Sequence, residues 1–313
     1  MLFRQAVFSM NPSASVLRGY LLALSATVLW STVFPLVRVL PVALSPVELA
    51  FWRWLFTFSC MLPFGMAAVR KHWPLVKKNA KWMVPAGVLG FSLYSILMFE
   101  AGHTTDATNM SLIAATAPVF MALFAGFFLG ERLSPAQWGG LGVAVVGVLV
   151  LVLQGDFRRI AGLSLTVGDF WMLLAASFFA IYSILVRRRP SAMPQNVFMT
   201  AMLAYSLLAL SPFMMAEAVK PGYRLPDMTT LLIMLYIALV PTLIGYLLWN
   251  RSVECIGAAR AGIVYYSIPL FSSLEAVVFL HETVSFSQLA GGALIIGGIL
   301  LSSLNVLKTL WRS

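Results

Sequence analysis

Ten apolar stretches, each long enough to cross a bilayer, account for most of this 313-residue chain. They cover 19–40, 46–66, 82–101, 107–129, 136–153, 168–187, 195–216, 230–250, 257–280 and 286–306. A helical span needs about 20 mainly apolar residues. None of the ten shows the sustained polar–apolar alternation of an outer-membrane strand. The expected class is therefore all-α integral membrane, with ten transmembrane helices. Only 10% of residues are charged, against roughly a quarter in soluble domains, and the short connections leave no room for a soluble domain. The first stretch lacks a clear small-residue cleavage site, so it reads as a span rather than a signal peptide.

The net charge of +10 sits between the apolar stretches, where orientation signals belong, and this argues against a nucleic-acid partner. Fifteen of the 21 Lys and Arg residues fall on the side that carries both termini, five fall on the other, and Arg53 lies within span 2. The bias predicts an inner-membrane protein with both termini in the cytoplasm. Cys60, inside a span, and Cys255, read as lying in a short loop, form neither a disulfide framework nor a metal motif.

The second half of the chain repeats the first. Leu112-Ile113-Ala114-Ala115-Thr116-Ala117-Pro118-Val119-Phe120 is matched 151 residues later by Ile263-Val264-Tyr265-Tyr266-Ser267-Ile268-Pro269-Leu270-Phe271. Phe128-Leu129-Gly130-Glu131 aligns with Phe279-Leu280-His281-Glu282, Ser134 and Gln137 with Ser285 and Gln288, and Gly140 and Gly147 with Gly291 and Gly298. Spans 1 and 6 align at an offset of 149, Gly19 on Gly168. Each half therefore has five spans, and an odd number sends the second half into the membrane from the opposite side. Such inverted repeats predict a pseudo-two-fold axis in the membrane plane and a site near the midplane. The expected organisation is a cytoplasmic segment 1–18, a first repeat 19–153, a periplasmic connection 154–167, a second repeat 168–306 and a cytoplasmic tail 307–313.

Pro118, the run Gly130-Glu131-Arg132-Leu133-Ser134 and the glycine-rich span from Gly139 resemble the EamA-type repeat of the drug/metabolite transporter superfamily, and Pro269, Glu282 and Gly291 resemble its second copy. His281 stands where the family usually has Gly. The resemblance covers nearly the whole chain. It implies a central cavity surrounded by spans 1, 3, 4, 6, 8 and 9, with spans 5 and 10 as a brace. It also implies export of small organic solutes, amino acids among them.

The aromatic residues of the lining spans are the expected substrate contacts: Trp30, Phe34, Phe91, Tyr94, Phe179, Tyr182, Tyr246, Trp249, Tyr265 and Tyr266, with Thr116 among the hydroxyls Ser31, Ser95, Ser183, Thr242 and Ser267. A mostly apolar lining with a few hydroxyls suits an amphiphilic solute with an aromatic or aliphatic side chain. Arg53 and Glu275 are charges within spans; such groups face protein or water because lipid exposure is costly. They are candidates for holding a substrate carboxylate and ammonium, or, for Glu275, a coupling proton. Pro118 and Pro269 are expected hinges, each removing one backbone donor near the midplane. Glu131 and Glu282 read as interfacial carboxylates at the start of the next helix. Gly140 with Ala144, and Ala293 with Gly297, read as small-residue faces that bring spans 5 and 10 together.

An intramembrane enzyme is the rival class. His281-Glu282 begins like HExxH, but Ser285 replaces the second histidine. No GxSxG elbow, P-loop or histidine cluster is present. No cofactor or metal is expected, and the partners are a small-molecule substrate and the bilayer, with the chain acting as a monomer. The reading is an alternating-access exporter of aromatic or large neutral amino acids. Multidrug, nucleobase or polyamine efflux stays open, as does the choice between uniport and proton coupling.

Overall fold

The computed structural model describes residues 12–33, 44–105, 110, 113–131, 133–158, 166–280 and 285–310. Among them are ten helices: α1 (Pro12–Ser31), α2 (Pro46–Lys71), α3 (Trp73–Thr104), α4 (Ala117–Leu129), α5 (Pro135–Val152), α6 (Val167–Val186), α7 (Gln195–Ala218), α8 (Met228–Ile256), α9 (Ala258–Tyr265, then Ser267–Leu280) and α10 (Phe286–Leu310). Six of these, α3, α5, α6, α7, α8 and α10, are long and apolar enough to cross a membrane by length and composition alone. Phe64, Phe127, Leu208, Phe286, Leu289 and Leu300 point outward, whereas Arg53, Thr57, Ser92, Ser183, Thr242 and Asn250 are buried. Large apolar side chains outside and polar ones inside are what a lipid solvent selects.

Helix starts follow local chemistry. Ser45 and Glu48 form a capping box at α2, Ser134 and Gln137 at α5, and Thr166 and Asp169 at α6. Ser285 and Gln288 exchange the same two hydrogen bonds at α10. The repeated Ser-x-x-Gln is thus a helix-start device that satisfies otherwise orphaned donors. Asp169, near a span end in the sequence, also accepts from the Thr105 hydroxyl, tying α6 to the end of α3. Cys255 belongs to the last turn of α8 rather than to a loop, because the helix continues to Ile256 before Gly257 turns the chain.

The helices pair as α1 with α8 and α9, α6 with α3 and α4, α2 with α8 and α7 with α3. In addition α2 packs on α7, α4 on α9 and α5 on α10. Replacing each helix by its counterpart five positions away leaves these pairs unchanged, while α2 also packs on α3 with no α7–α8 contact of similar extent among the described residues. In the α5–α10 crossing, a Cβ on Gly140 would lie 2.5 Å from the Gly298 carbonyl oxygen, and one on Gly298 would lie 2.6 Å from that of Gly140. Gly147 and Gly291 repeat this reciprocity at 2.8 and 2.7 Å. Between helices in lipid no hydrophobic force operates, so close backbone approach supplies the attraction. The contact uses the seven-residue pairs Gly140/Gly147 and Gly291/Gly298, with Ala144 beside Gly298; Ala293 and Gly297 are exposed on the opposite face of α10. A spacing of four carried only half of the expected face.

Candidate functional site

Two irregularities interrupt the helices at matched places. Within α3, Val88–Leu93 is a π-helix, and within α8 so is Ala238–Ile244. Their first residues are 150 apart, close to the repeat offset. Single-turn π segments recur at functional sites because widening the turn redirects side chains and frees backbone groups. The second irregularity is the break before each midplane proline. α4 starts at Ala117 after a turn at 115–116, and α9 is split by a turn at Tyr266. Pro118 and Pro269 therefore lie in the first turn of the second segment, where a missing N–H costs nothing. They follow breaks rather than kinking continuous helices.

Aromatic rings from five helices gather beside these irregularities. Trp30 on α1 lies with its ring centre 5.5 Å from Phe179 on α6, 5.5 Å from Tyr246 and 5.2 Å from Trp249 on α8, and 6.0 Å from Tyr265 on α9. Phe179 is the hub, also meeting Tyr94 on α3 at 5.4 Å and Tyr265 at 5.6 Å. Tyr94 and Tyr265 are half-buried, while Phe179, Tyr246 and Trp249 are buried behind them. Phe91 and Tyr182 extend the cluster inward, and Phe91 stacks on Trp54 at 4.4 Å. Three polar tips are satisfied inside the protein: Trp249 Nε1 donates to Ser183, Tyr182 Oη to Asn250, and Trp54 Nε1 to Ser95 and the Phe91 carbonyl; Trp30 Nε1 is buried without a hydrogen-bond partner among the described residues. Gly245 makes room for Trp30, whose indole Nε1 would lie 2.6 Å from a Cβ at that position.

Symmetry breaks at Arg53. In the second half, Ser206 on α7 bonds Ser92 in the π segment of α3. In the first half, the equivalent α2 residue Thr57 donates to the Ala238 carbonyl, at the start of the α8 π segment. One turn before it, Arg53 donates from Nε to Thr242 Oγ1 at 2.7 Å. Met202 holds the matching place on α7 and Ser92 the matching place to Thr242. Arg53 is buried, its guanidinium 5.1 Å from the Trp54 ring centre and near the Tyr94 and Tyr246 hydroxyls. Among the described residues no carboxylate pairs with it. Glu275, on α9, accepts from Ser31 Oγ at 2.7 Å through one oxygen. Its other oxygen is buried without a hydrogen-bond partner among the described residues. Ser31 directly follows Trp30, so α1 links the carboxylate to the ring cluster.

A profile of the EamA-like transporter family matches residues 17–153 and again 166–304, one copy per half. The chain belongs to the EamA-like transporter family. It is a multi-pass membrane transporter, not an enzyme. A "Probable amino-acid metabolite efflux pump" of Salmonella typhimurium is 26% identical over 90% of this chain and 93% of its own length. A "Probable terminal-alkyne amino-acid exporter" of Streptantibioticus cattleyicolor is 27% identical over 88% of this chain and 89% of its own. A solved crystal structure at 22% identity superposes with a TM-score of 0.75 over 93% of this chain and 98% of its own, so the fold is shared.

Not every expected lining residue of this EamA protein joins the cluster. Tyr266 turns the other way, into a separate apolar group with Leu141, Val148, Leu151 and Ile295 of the α5–α10 brace. The break at Tyr266 sends consecutive tyrosines to opposite sides. Thr116 is half-buried and caps its own turn by donating to the Ile113 carbonyl. Phe34, His281 and Glu282 lie outside the described residues. Sequence reasoning passed over Trp54 and Asn250, both fully buried. Trp54 had a signal in the buried stripe Ala50, Trp54, Thr57 and Met61; Asn250, a polar residue within an apolar run, had only its rarity.

At the end of the bundle where α4, α6 and α8 finish, charges replace rings. Glu131 pairs with Arg187 at 3.2 Å, and Arg187 also donates to the Val253 and Glu254 carbonyls. Arg189 and Arg251 both hold Glu254. Glu131 is therefore an ion-pair partner rather than a cap for α5, a role that Ser134 takes. Gly257, at φ 84°, is required twice: by its left-handed backbone, and by Glu131 Oε2, which a Cβ would approach to 2.7 Å.

Proposed function

We propose that this protein exports amino acids, aromatic or large neutral ones, out of the cytoplasm by alternating access. The observation that carries the reading is the ring cluster with its half-buried front, Tyr94 and Tyr265, backed by buried Phe179 and Trp30. A flat side chain entering there meets ring edges and faces, each pair contributing about 0.5–1.5 kcal/mol beyond simple burial. Arg53 supplies a positive charge near Tyr94 for the substrate carboxylate. Glu275 supplies an unpaired carboxylate oxygen for its ammonium. The printed names of two relatives, an amino-acid metabolite efflux pump and an amino-acid exporter, support the same substrate class.

Lys and Arg bias puts both termini and the Glu131–Arg187 end in the cytoplasm of a cell with an inner membrane. Five spans per half, together with the helix pairs that exchange one half for the other, favour inverted repeats about an axis in the membrane plane. Rocking of the halves around the ring cluster then opens it to one side and the other, with the breaks before Pro118 and Pro269 as hinges. The glycine faces of α5 and α10 are consumed within one chain, which favours a monomer.

Proteoliposomes loaded with labelled phenylalanine, tryptophan, threonine or a cationic dye, with and without a pH gradient, test the reading. Efflux of the two aromatic amino acids above protein-free vesicles is expected. Movement of the dye alone would replace the reading by multidrug efflux. Loss of pH-driven efflux in Glu275→Gln would make Glu275 the coupling group, and unchanged pH-driven efflux would exclude it.

A further inference from the structure

A cleft of about 230 Å³ opens at the charged end of the bundle, lined by Glu131, Leu133, Arg187, Cys255, Gly257 and Arg260 among others. Three facts set it apart from the ring cluster. Its lining carries two arginines against one carboxylate. Arg260, in the first turn of the α9 segment Ala258–Tyr265, has no carboxylate partner among the described residues, whereas Arg187 is already paired with Glu131. The residues around the cleft also join the segments that must separate for a solute to pass. Glu131 follows α4, Arg187 caps α6 and reaches the last carbonyls of α8, and Gly257 and Arg260 begin α9.

We propose that this cleft is a loading site for a carboxylate-bearing solute, which opens the inner end of the transporter by displacing Glu131 from Arg187. The inference rests on the cytoplasmic placement argued above. A carboxylate in the cleft finds in Arg260 a charge with no carboxylate partner among the described residues. At Arg187 it offers the same group as Glu131 and can take its place in the ion pair. The pair is suited to such exchange, because its side chains keep 35% and 23% of their exposure. Partly exposed pairs of this kind are weak and readily traded. Once Glu131 leaves, α4 loses its ionic tie to Arg187 at the end of α6 and keeps only its packing there. The solute's own charge thus selects for loading, and a solute without a carboxylate leaves the latch shut.

Cys255 lines the cleft and reports on it without an introduced cysteine. In a Cys60→Ser background, a membrane-impermeant maleimide is applied to inside-out and right-side-out vesicles. Labelling from the cytoplasmic face is expected. Reaction only from the opposite face would overturn the orientation, and with it the proposed function. Given cytoplasmic labelling, phenylalanine is expected to change the rate at least two-fold, and phenylethylamine, which has the same ring and ammonium but no carboxylate, to leave it unchanged. Glu131→Gln should raise the basal rate about two- to five-fold, the population change that loss of a partly exposed pair produces. Arg260→Gln should keep the wild-type basal rate and lose the phenylalanine effect. Equal effects of phenylalanine and phenylethylamine, or an unaltered phenylalanine effect in Arg260→Gln, would overturn the loading site while leaving the export reading intact.

Discussion

Gly245→Ala is the smallest substitution that should disable the ring cluster. The added Cβ would sit 2.6 Å from Trp30 Nε1 and 3.0 Å from Cδ1. Ordinary contact begins near 3.4 Å, so the indole must retreat by about 0.8 Å or α8 must move. Neither is free: Trp30 is hemmed in by Phe179, Tyr246, Trp249 and Tyr265. Overpacking of this kind costs about 1–3 kcal/mol. Ala in place of Gly returns up to about 1 kcal/mol through helix propensity. The net loss is then about 0–3 kcal/mol, small enough for the protein to fold. The larger effect falls on transport, because Trp30 shifts relative to Phe179 and Tyr265. A half-saturation concentration for tryptophan raised about five- to ten-fold is expected in proteoliposome efflux. Gly142→Ala is the control, since its Cβ would meet nothing within 4 Å. It should gain slightly in thermal midpoint and transport normally. An unchanged half-saturation in Gly245→Ala, with normal reconstitution, would refute the role given to Trp30.

Three further outcomes follow from the same geometry. Gly298→Val should lower the thermal midpoint in detergent by ten degrees or so, because the side chain strikes the Gly140 carbonyl, whereas Gly297→Val, in open space on the lipid face, should shift it little. Arg53→Met, which copies the second repeat, should raise the half-saturation for phenylalanine roughly ten-fold or more, as expected for a charged hydrogen bond worth about 1.5–3 kcal/mol. Asp227, which caps α8 by accepting from the Thr230 backbone N–H, has its acidity strengthened mainly by that bond. Its contribution to stability is present above the unfolded carboxylate value near pH 3.9 and is lost as pH falls through the lower folded value. A melting series from pH 6 to pH 3 should therefore show a steeper acid loss in wild type than in Asp227→Asn, which caps without titrating.

Much of the fold was legible because lipid makes the code simple. Ten apolar runs became ten helices, and the doubled Pro118/Pro269 and Ser-x-x-Gln elements became breaks and helix starts. The π segments were not legible, since Val88–Leu93 and Ala238–Ile244 have no composition that separates a π turn from an α turn. They appear only when Ser92, Ser206, Thr57 and Thr242 are seen bonded across the helices. Direction was the second gap. Tyr265 and Tyr266 are adjacent and chemically identical, yet a one-residue turn sends one to the rings and the other to the brace. Gly297 looked as useful as Gly298, and only the crossing of α5 and α10 tells them apart. Trp30, Phe91, Tyr94, Phe179, Tyr182, Tyr246, Trp249 and Tyr265 were expected on the lining spans that the family resemblance implies, and their rings meet in the structure, whereas Tyr266 faces the brace and Trp54 joins without having been expected.

The central claim is that aromatic amino acids leave through the face formed by Tyr94 and Tyr265. The most direct measurement is efflux of labelled phenylalanine from proteoliposomes carrying wild-type protein or the double variant Tyr94→Ala, Tyr265→Ala, matched for amount and thermal midpoint. Both residues are half-buried, so the variant should fold. The account predicts saturable efflux in wild type and a loss of at least ten-fold in the variant. Equal efflux from both proteins, or none from wild type while another solute moves, would contradict it.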